Sequence, residues 1–286
     1  MNHARPRYLL AKRSIDDRAF DPHVKQVLLD RCVATPRIVE AGCGTGNTVK
    51  RLLDWGIERF EYCGIDTDPE IISFARRFCP QELRYAGVAV RESDEGGTVE
   101  SASFTFEVGN ATMRVPDAAD ADLLIAQAFA DLVPPRTMVQ TIEETLGPMG
   151  LAYLPITFDG GTVFSPVHEF DELVERAYHR GLKRSGQYPH AGRRLINRLH
   201  DRPGELLAVG GSDWIVRPVD GRYPADERYF LSCILEFVET VVDPGSVGME
   251  TDEFANWMQT RRNQLKDRKL IFATHQYDLL YQMPPE

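Results

Sequence analysis

The chain has 286 residues, of which 43% are hydrophobic and 27% charged, a composition typical of a globular protein with a sizeable core. Its formal net charge of −10 disfavours nucleic acid as a partner, because phosphate contacts need a basic face. No stretch approaches the roughly 18 consecutive apolar residues of a membrane span, so no membrane association is expected.

The N-terminal half alternates predicted strands and helices. Residues 15–32 have helical apolar spacing, within a predicted N-terminal cap helix (1–36). A short strand at 37–41 then leads through a glycine-rich turn into a helix. A second strand ends at Asp66. Asp68-Pro69 begins the next helix, since the carboxylate can cap it and proline suits the first turn, and Pro80 is predicted to end it.

The middle of the chain continues the alternation. Residues 81–102 carry few large apolar side chains and indicate a surface excursion or hairpin. Further strands are predicted at 104–108, 122–126 and 151–158, with a helix at 136–146.

After residue 158 this rhythm changes. Residues 159–205 are predicted to form a helical insertion or lid, with helices interrupted near Gly186 and Pro189. Residues 206–286 would complete the sheet with strands at 206–216 and 270–280 around two helices, 225–242 and 251–267. The whole chain, 1–286, is therefore predicted to be a single α/β domain with a parallel sheet covered by helices on both faces.

The turn Gly42-Cys43-Gly44-Thr45-Gly46 joins the first strand to its helix, where ligands bind in such folds. The dinucleotide fingerprint wants its third glycine at position 47, which is Asn47. Glu40 would repel a pyrophosphate but attract an amino group and a sulfonium centre. The plain alternative is a tight turn without a ligand.

Glu40 to Gly46 resembles the first motif of class I S-adenosylmethionine-dependent methyltransferases, of the type that acts on small molecules. The resemblance implies a Rossmann-like, seven-stranded, mostly parallel sheet with an antiparallel last strand. It also implies that the loop wraps the methionine end of S-adenosylmethionine. Asp66 stands where the family places a carboxylate that binds both ribose hydroxyls. Capping of the following helix is the alternative role for Asp66.

Two later segments extend the resemblance. Gly109-Asn110-Ala111 is similar to the motif in which Asp or Asn recognises the adenine amino group, although Gly-Asn is also a common turn. Gln127-Ala128-Phe129 stands at the position that lines the cofactor near its sulfur. The predicted cofactor-binding residues are Glu40, Gly42, Cys43, Gly44, Gly46, Asp66, Thr67, Asn110, Ala111, Gln127 and Ala128.

The acceptor side is predicted from the segment after the fifth strand. His168 is the candidate base or substrate contact, with a histidine at a helix start as the alternative. The basic cluster at 179–194 would either recognise an anionic group or form a solvated helix face. The N-terminal run 8–17 could fold over the cofactor, with Arg13 near its carboxylate. The candidate substrate contacts are Phe129, Asp159, Arg184, Trp214 and Tyr223.

These residues predict methyl transfer from S-adenosylmethionine to a small-molecule acceptor, with S-adenosylhomocysteine as product. An RNA or protein methyltransferase on the same scaffold is disfavoured by the acidic charge. The signature of amino-group DNA methylation is missing at residues 127–130. An NAD-dependent oxidoreductase is disfavoured by the glycine spacing and by Glu40. A non-catalytic protein that binds the cofactor remains an alternative that the sequence does not exclude.

The cysteines, the N-terminal segment and the metal-ligating residue types indicate the cellular compartment and the metal content to expect. The five cysteines form no CxxC pair and are odd in number, so reduced thiols in a cytoplasm are expected. The N-terminus is basic, but no apolar segment of useful length follows it, which disfavours a secretory signal. No cluster of metal ligands stands out, and no metal is expected.

Overall fold

One sheet forms the centre of the computed structural model, which describes residues 5–114 and 120–286. Its strands, in chain order, are β1 (Arg37–Ala41), β2 (Phe60–Asp66), β3 (Arg91–Ser93), β4 (Gly96–Val99), β5 (Ala102–Val108), β6 (Ala121–Ile125), β7 (Leu146–Ser165), β8 (Glu205–Gly211), β9 (Trp214–Val216) and β10 (Ile271–Gln282). They lie side by side in the order β3-β4-β5-β2-β1-β6-β7-β10-β8, and β9 pairs with β10.

Five central strands, β5-β2-β1-β6-β7, are parallel, and β10 runs antiparallel to both β7 and β8. The predicted fold class is therefore confirmed: a mostly parallel Rossmann-like sheet of seven main strands with an antiparallel last strand. The hairpin β3-β4 extends one edge, where the sequence predicts a surface excursion.

Helices cover both faces of the sheet. They are α1 (Pro6–Ala19), α2 (Pro22–Arg31), α3 (Asn47–Asp54), α4 (Pro69–Tyr85), α5 (Ala111–Arg114), α6 (Pro135–Thr145), α7 (Asp171–Arg184), α8 (Ala191–His200), α9 (Glu227–Val241) and α10 (Thr251–Lys266). One buried cluster packs α2, α3 and α4 on the sheet, and a second packs α6 and α8 on the other face. A third cluster joins α1, α7, α9 and α10 beyond the strand ends.

Two predicted helix boundaries are wrong. The N-terminal cap is two helices, because Asp21 accepts a hydrogen bond from Val24 N at 2.9 Å and Pro22 begins α2. Helix α4 continues through Pro80 to Tyr85. Pro80 and Leu83 are buried against the sheet, and this burial outweighs the local cost of proline.

The segment 159–205 is only partly the helical insertion that the sequence predicts. Residues up to 165 belong to β7, which is longer than the predicted strand 151–158. Helix α8 packs against α6 and the sheet as an ordinary crossover helix. The predicted strand 206–216 is divided into β8 and β9. Helices α1 and α9, together with α7, cover the strand ends instead.

An irregular stretch of β7 and β10 shapes the strand ends beside the cleft. Ile156 has a left-handed backbone (φ 59°), which is rare for a β-branched residue. The fully buried carboxylate of Asp278 accepts hydrogen bonds from Ile156 N at 2.8 Å and from Asp21 N at 2.9 Å. Asp278 therefore fixes this irregular backbone and the start of α2 together. Within the described ranges, no helix is long and apolar enough to cross a bilayer.

Candidate functional site

A cleft of about 510 Å³ opens at the carboxyl ends of the parallel strands. It lies where the strand order reverses, since β1 has β2 on one side and β6 on the other. Open α/β sheets bind ligands at such a switch point. Loops after β1, β2, β5 and β6 form one end of the cleft, and β7, β9 and β10 form the other.

The glycine turn after β1 is bonded to the neighbouring strand. Gly42 N and Cys43 N both donate to the Ile65 carbonyl, at 2.8 and 3.1 Å. Gly42, Gly44 and Gly46 have φ values of 73°, 52° and 77°, which glycine adopts without strain. The turn therefore presents backbone without side chains to the cleft at Gly42 and Gly44, while Gly46 is the N-cap residue of α3.

The carboxylate of Asp66 lies at the end of β2 and lines the cleft. Its two oxygens accept hydrogen bonds from Gly44 N and Asp68 N, both at 3.1 Å. Partial burial raises the pKa of Asp66, against the opposing effect of these backbone donors. An ionised carboxylate offers about four lone-pair sites, so Asp66 keeps capacity for two further donors. Its neighbour Thr67 is exposed and also lines the cleft.

Glu40 does not line the cleft with its side chain. The carboxylate is buried behind the glycine turn, where it accepts hydrogen bonds from Thr48 Oγ1 at 2.8 Å and from the Tyr62 hydroxyl. Desolvation by burial raises the pKa of Glu40 to about 7. Cys43 is likewise buried and turned away from the cleft, toward Gly64. Both residues support the turn from behind rather than facing a ligand.

The adenine-side candidates lie on the cleft wall. Asn110 and Ala111 line it at the start of α5. The exposed Asn110 side chain accepts from Thr112 N at 3.1 Å and from Thr112 Oγ1 at 2.9 Å, so its carbonyl caps this short helix.

Gln127 connects the cleft to the N-terminal helix. It accepts from Arg51 Nη1 at 2.8 Å and donates from Nε2 to Asp16 Oδ2 at 2.9 Å. Its neighbours Ala128 and Phe129 also line the cleft. Because Asp16 lies on α1 and Arg51 on α3, Gln127 fixes the position of α1 over the turn.

Helix α1, which contains the residues 8–17 predicted to fold over the cofactor, lies against the glycine turn, with Leu9 close to Gly44. Tyr8, Leu9 and Lys12 line the cleft. Lys12 is the one positively charged side chain among the described residues that do so. Arg13, the predicted partner of the cofactor carboxylate, instead pairs with Glu82 at 2.7 Å and does not reach the cleft.

The other end of the cleft is apolar and partly aromatic, with one carboxylate. Phe158, Phe164 and Phe272 line it together with Trp214, a predicted substrate contact. Asp131 follows β6, and burial raises its pKa to about 6. Asp131 is not among the site residues predicted from the sequence. Its only signal was a position four residues beyond Gln127, in the loop after a strand.

Four predicted acceptor-side residues lie outside the cleft. His168 precedes α7, and its Nδ1 accepts from Phe170 N at 3.3 Å, so the structure does not bring it to the other site residues. Asp159 is buried but pairs with Arg193, and Arg184 forms an exposed ion pair. Tyr223 donates its hydroxyl to a backbone carbonyl at 2.9 Å.

No family model and no curated protein matches the sequence. Solved structures with a similar fold include SAM-dependent methyltransferases from Thiobacillus denitrificans and Geobacter sulfurreducens, both in complex with S-adenosyl-L-homocysteine. The first is 14% identical (TM-score 0.48, 97% of each chain covered), and the second 16% (0.48, 98% of each). A geranyl diphosphate methyltransferase in complex with SAM is 11% identical (0.44, covering 90% of this chain and 83% of that one). At these levels of similarity, function is inferred from the residues of the cleft.

Glu40 generates a pH-dependent stability. Its folded-state pKa of about 7 lies above the ordinary value of 4.5, so its ionisation destabilises the folded protein increasingly as the pH rises between these values. We expect the melting temperature of Glu40→Gln, measured relative to that of the unaltered protein, to be higher at about pH 8 than at about pH 5. Thermal unfolding at both pH values measures this. An equal difference at both would show that Glu40 does not titrate in this range.

Proposed function

We propose that the protein is an S-adenosylmethionine-dependent methyltransferase whose acceptor is a small molecule. The observation that carries the proposal is the arrangement at one end of the cleft. A bare glycine turn, the carboxylate of Asp66 and the polar side chain of Asn110 lie on three successive strand ends. They adjoin an apolar compartment at the other end.

The hydrogen bonding of the turn supports this cofactor over a dinucleotide. A pyrophosphate is normally bound by free backbone N–H groups of such a turn. Here four of those groups are used internally: Gly42 N and Cys43 N on Ile65, Gly44 N on Asp66, and Gly46 N on Cys43. The turn therefore has few free N–H groups to bind a phosphate, but its glycines leave room for a ligand without phosphates.

The charges of the cleft suit the two ends of S-adenosylmethionine. Asp66 would accept the two ribose hydroxyls, and Asn110 would contact the adenine. Lys12 would bind the methionine carboxylate, because it is the one cation among the described lining residues. Its Nζ lies 3.3 Å from Asp16 Oδ2, which keeps the ammonium at the edge of the turn.

The cover over the cleft supports a small acceptor rather than RNA or protein. Tyr8 of α1 and Phe237 of α9 both line the cleft, so helices from the two ends of the chain roof it. A roofed cavity of about 510 Å³ is within the range of small-molecule sites.

The bound cofactor would supply an electrophilic methyl group, displaced in line from its sulfonium by the acceptor. The protein has two tasks in that step: to align the acceptor and to receive its proton. Asp131 is the carboxylate placed for the second task, because it lines the acceptor compartment. With a pKa of about 6, it is mostly ionised at neutral pH and can accept a proton.

Removal of Asp66 tests the cofactor site. We expect Asp66→Ala to weaken S-adenosylhomocysteine binding by roughly 30- to 100-fold, since two hydrogen bonds to a charged group are lost. Asp68→Ala is the matched control, because Asp68 caps α4 without lining the cleft. Isothermal titration calorimetry measures both. Equal affinities of the two variants would contradict the role of Asp66.

Removal of the Lys12 charge tests the orientation of the cofactor. We expect Lys12→Met to weaken S-adenosylhomocysteine binding about tenfold while leaving 5′-methylthioadenosine binding unchanged, because the second ligand lacks the amino-acid end. Lys50→Met is the control, since Lys50 pairs with Asp54 on α3, outside the cleft. A parallel loss for both ligands would mean that Lys12 acts on the helix cover rather than on the carboxylate.

A further inference from the structure

One wall of the acceptor compartment carries polar atoms that form no hydrogen bond with any described residue. We propose that these atoms select the acceptor: it carries a neutral group that both donates and accepts hydrogen bonds, such as a carboxamide or a hydroxyl, on an apolar body. This inference rests on the proposed function, because it concerns the acceptor end of the same cleft. The atoms belong to Trp214, Thr274 and Gln276, here called the polar strip.

Strand geometry brings the three side chains together. Thr274 and Gln276 are two residues apart on β10, so both point to the same side of the sheet, and both line the cleft. Trp214 on β9 is paired in register with Thr274 and also lines the cleft. The strip therefore forms one continuous part of the wall.

The polar atoms of the strip have no partner among the described residues. Trp214 Nε1, Thr274 Oγ1 and Gln276 Oε1 are buried and accept or donate no hydrogen bond. Thr274 and Gln276 are only 5% and 2% exposed. Buried polar groups in folded proteins are nearly always partnered, and one left alone destabilises the folded state. Three such atoms side by side on a cavity wall point to a ligand as the missing partner.

The chemistry of the strip defines the group it would bind. The indole N–H of Trp214 can only donate, Gln276 Oε1 can only accept, and the Thr274 hydroxyl can do both. A complementary group needs an acceptor for Trp214 and a donor for Gln276. A hydrocarbon would leave all three atoms unpaired, and a carboxylate or phosphate would set its oxygens against Gln276 Oε1 unless the amide turned to present Nε2.

The surrounding charges agree with a neutral group. Lys12, the one cation of the described lining, is assigned to the methionine carboxylate in the proposed function, which leaves no lining cation for an anionic acceptor. The basic cluster at 179–194 contributes no lysine or arginine to the described lining; Gln187 and the apolar Leu182 line it from this segment. The body of the acceptor would contact Phe158, Phe164 and Phe272, so it is expected to be apolar.

Three ring compounds of similar shape probe the strip: benzamide, benzoate and ethylbenzene. Each is titrated into protein saturated with S-adenosylhomocysteine and labelled with ¹⁵N at the indole nitrogens. The chain has 3 tryptophans, and a Trp214→Phe variant assigns the Trp214 signal. We expect benzamide to bind most tightly and to shift the Trp214 indole resonance. The Trp257 resonance is the internal control, since its Nε1 already donates to Asp171 at 2.7 Å.

Two near-isosteric variants separate ligand binding from stability. Thr274→Val and Gln276→Leu are each expected to weaken benzamide binding about tenfold while keeping or raising the melting temperature, because no hydrogen bond to another described residue is lost. Thr145→Val is the matched control. The buried Thr145 hydroxyl donates to the Thr141 carbonyl at 2.6 Å, outside the cleft. This control should lose melting temperature and keep its affinity for benzamide.

The possible results are distinguishable. Tighter binding of benzoate or ethylbenzene than of benzamide would overturn the proposed acceptor group, as would no benzamide binding by the S-adenosylhomocysteine complex. Lower melting temperatures of Thr274→Val and Gln276→Leu with unchanged benzamide affinity would make the strip structural. Failure of the unaltered protein to bind S-adenosylhomocysteine would refute the proposed function itself, before any ring compound is added.

Discussion

Crowding around the turn from Gly42 to Gly46 constrains the whole glycine-turn end of the cleft. A Cβ at Gly42 would lie 2.5 Å from a ring carbon of Phe129, and one at Gly46 would lie 2.6 Å from Phe106. A larger residue would therefore displace the core as well as strain the turn. Because the turn also bonds to Ile65 and Asp66, its position is fixed by β2 as much as by β1.

This constraint extends from the turn to the helices that cover it. Leu9 of α1 approaches Gly44 closely, at 3.3 Å from the position of a Cβ. Gln127 bonds to both Arg51 and Asp16, so the strand end, α3 and α1 are held by one side chain. Four backbone N–H groups of the turn and the side chain of Gln127 are thus bonded within the protein. The three atoms of the polar strip at the other end have no such partner among the described residues, and this difference is the basis of the acceptor selection that we propose.

Local sequence patterns predicted the parts of the structure that depend on neighbours in the chain. The strands, the glycine turn and the position of Asp66 follow from spacing within about 30 residues, and so were predictable. Asp131 and the polar strip were not, because they meet the glycine turn only through strand order. His168 and Arg13 do not line the cleft, because His168 accepts from the adjacent Phe170 N and Arg13 pairs with Glu82, 69 residues away in the chain. Pro80 was misjudged because burial, not local preference, decides the end of α4.

The central claim is that the glycine-turn end of the cleft binds S-adenosylmethionine. Calorimetric titration of the unaltered protein with S-adenosylhomocysteine, run in parallel with NAD, tests it most directly. We predict binding of S-adenosylhomocysteine with a dissociation constant on the order of micromolar, about −8 kcal/mol, and no binding of NAD. Binding of NAD without S-adenosylhomocysteine would contradict this account and would mean that the turn serves a dinucleotide.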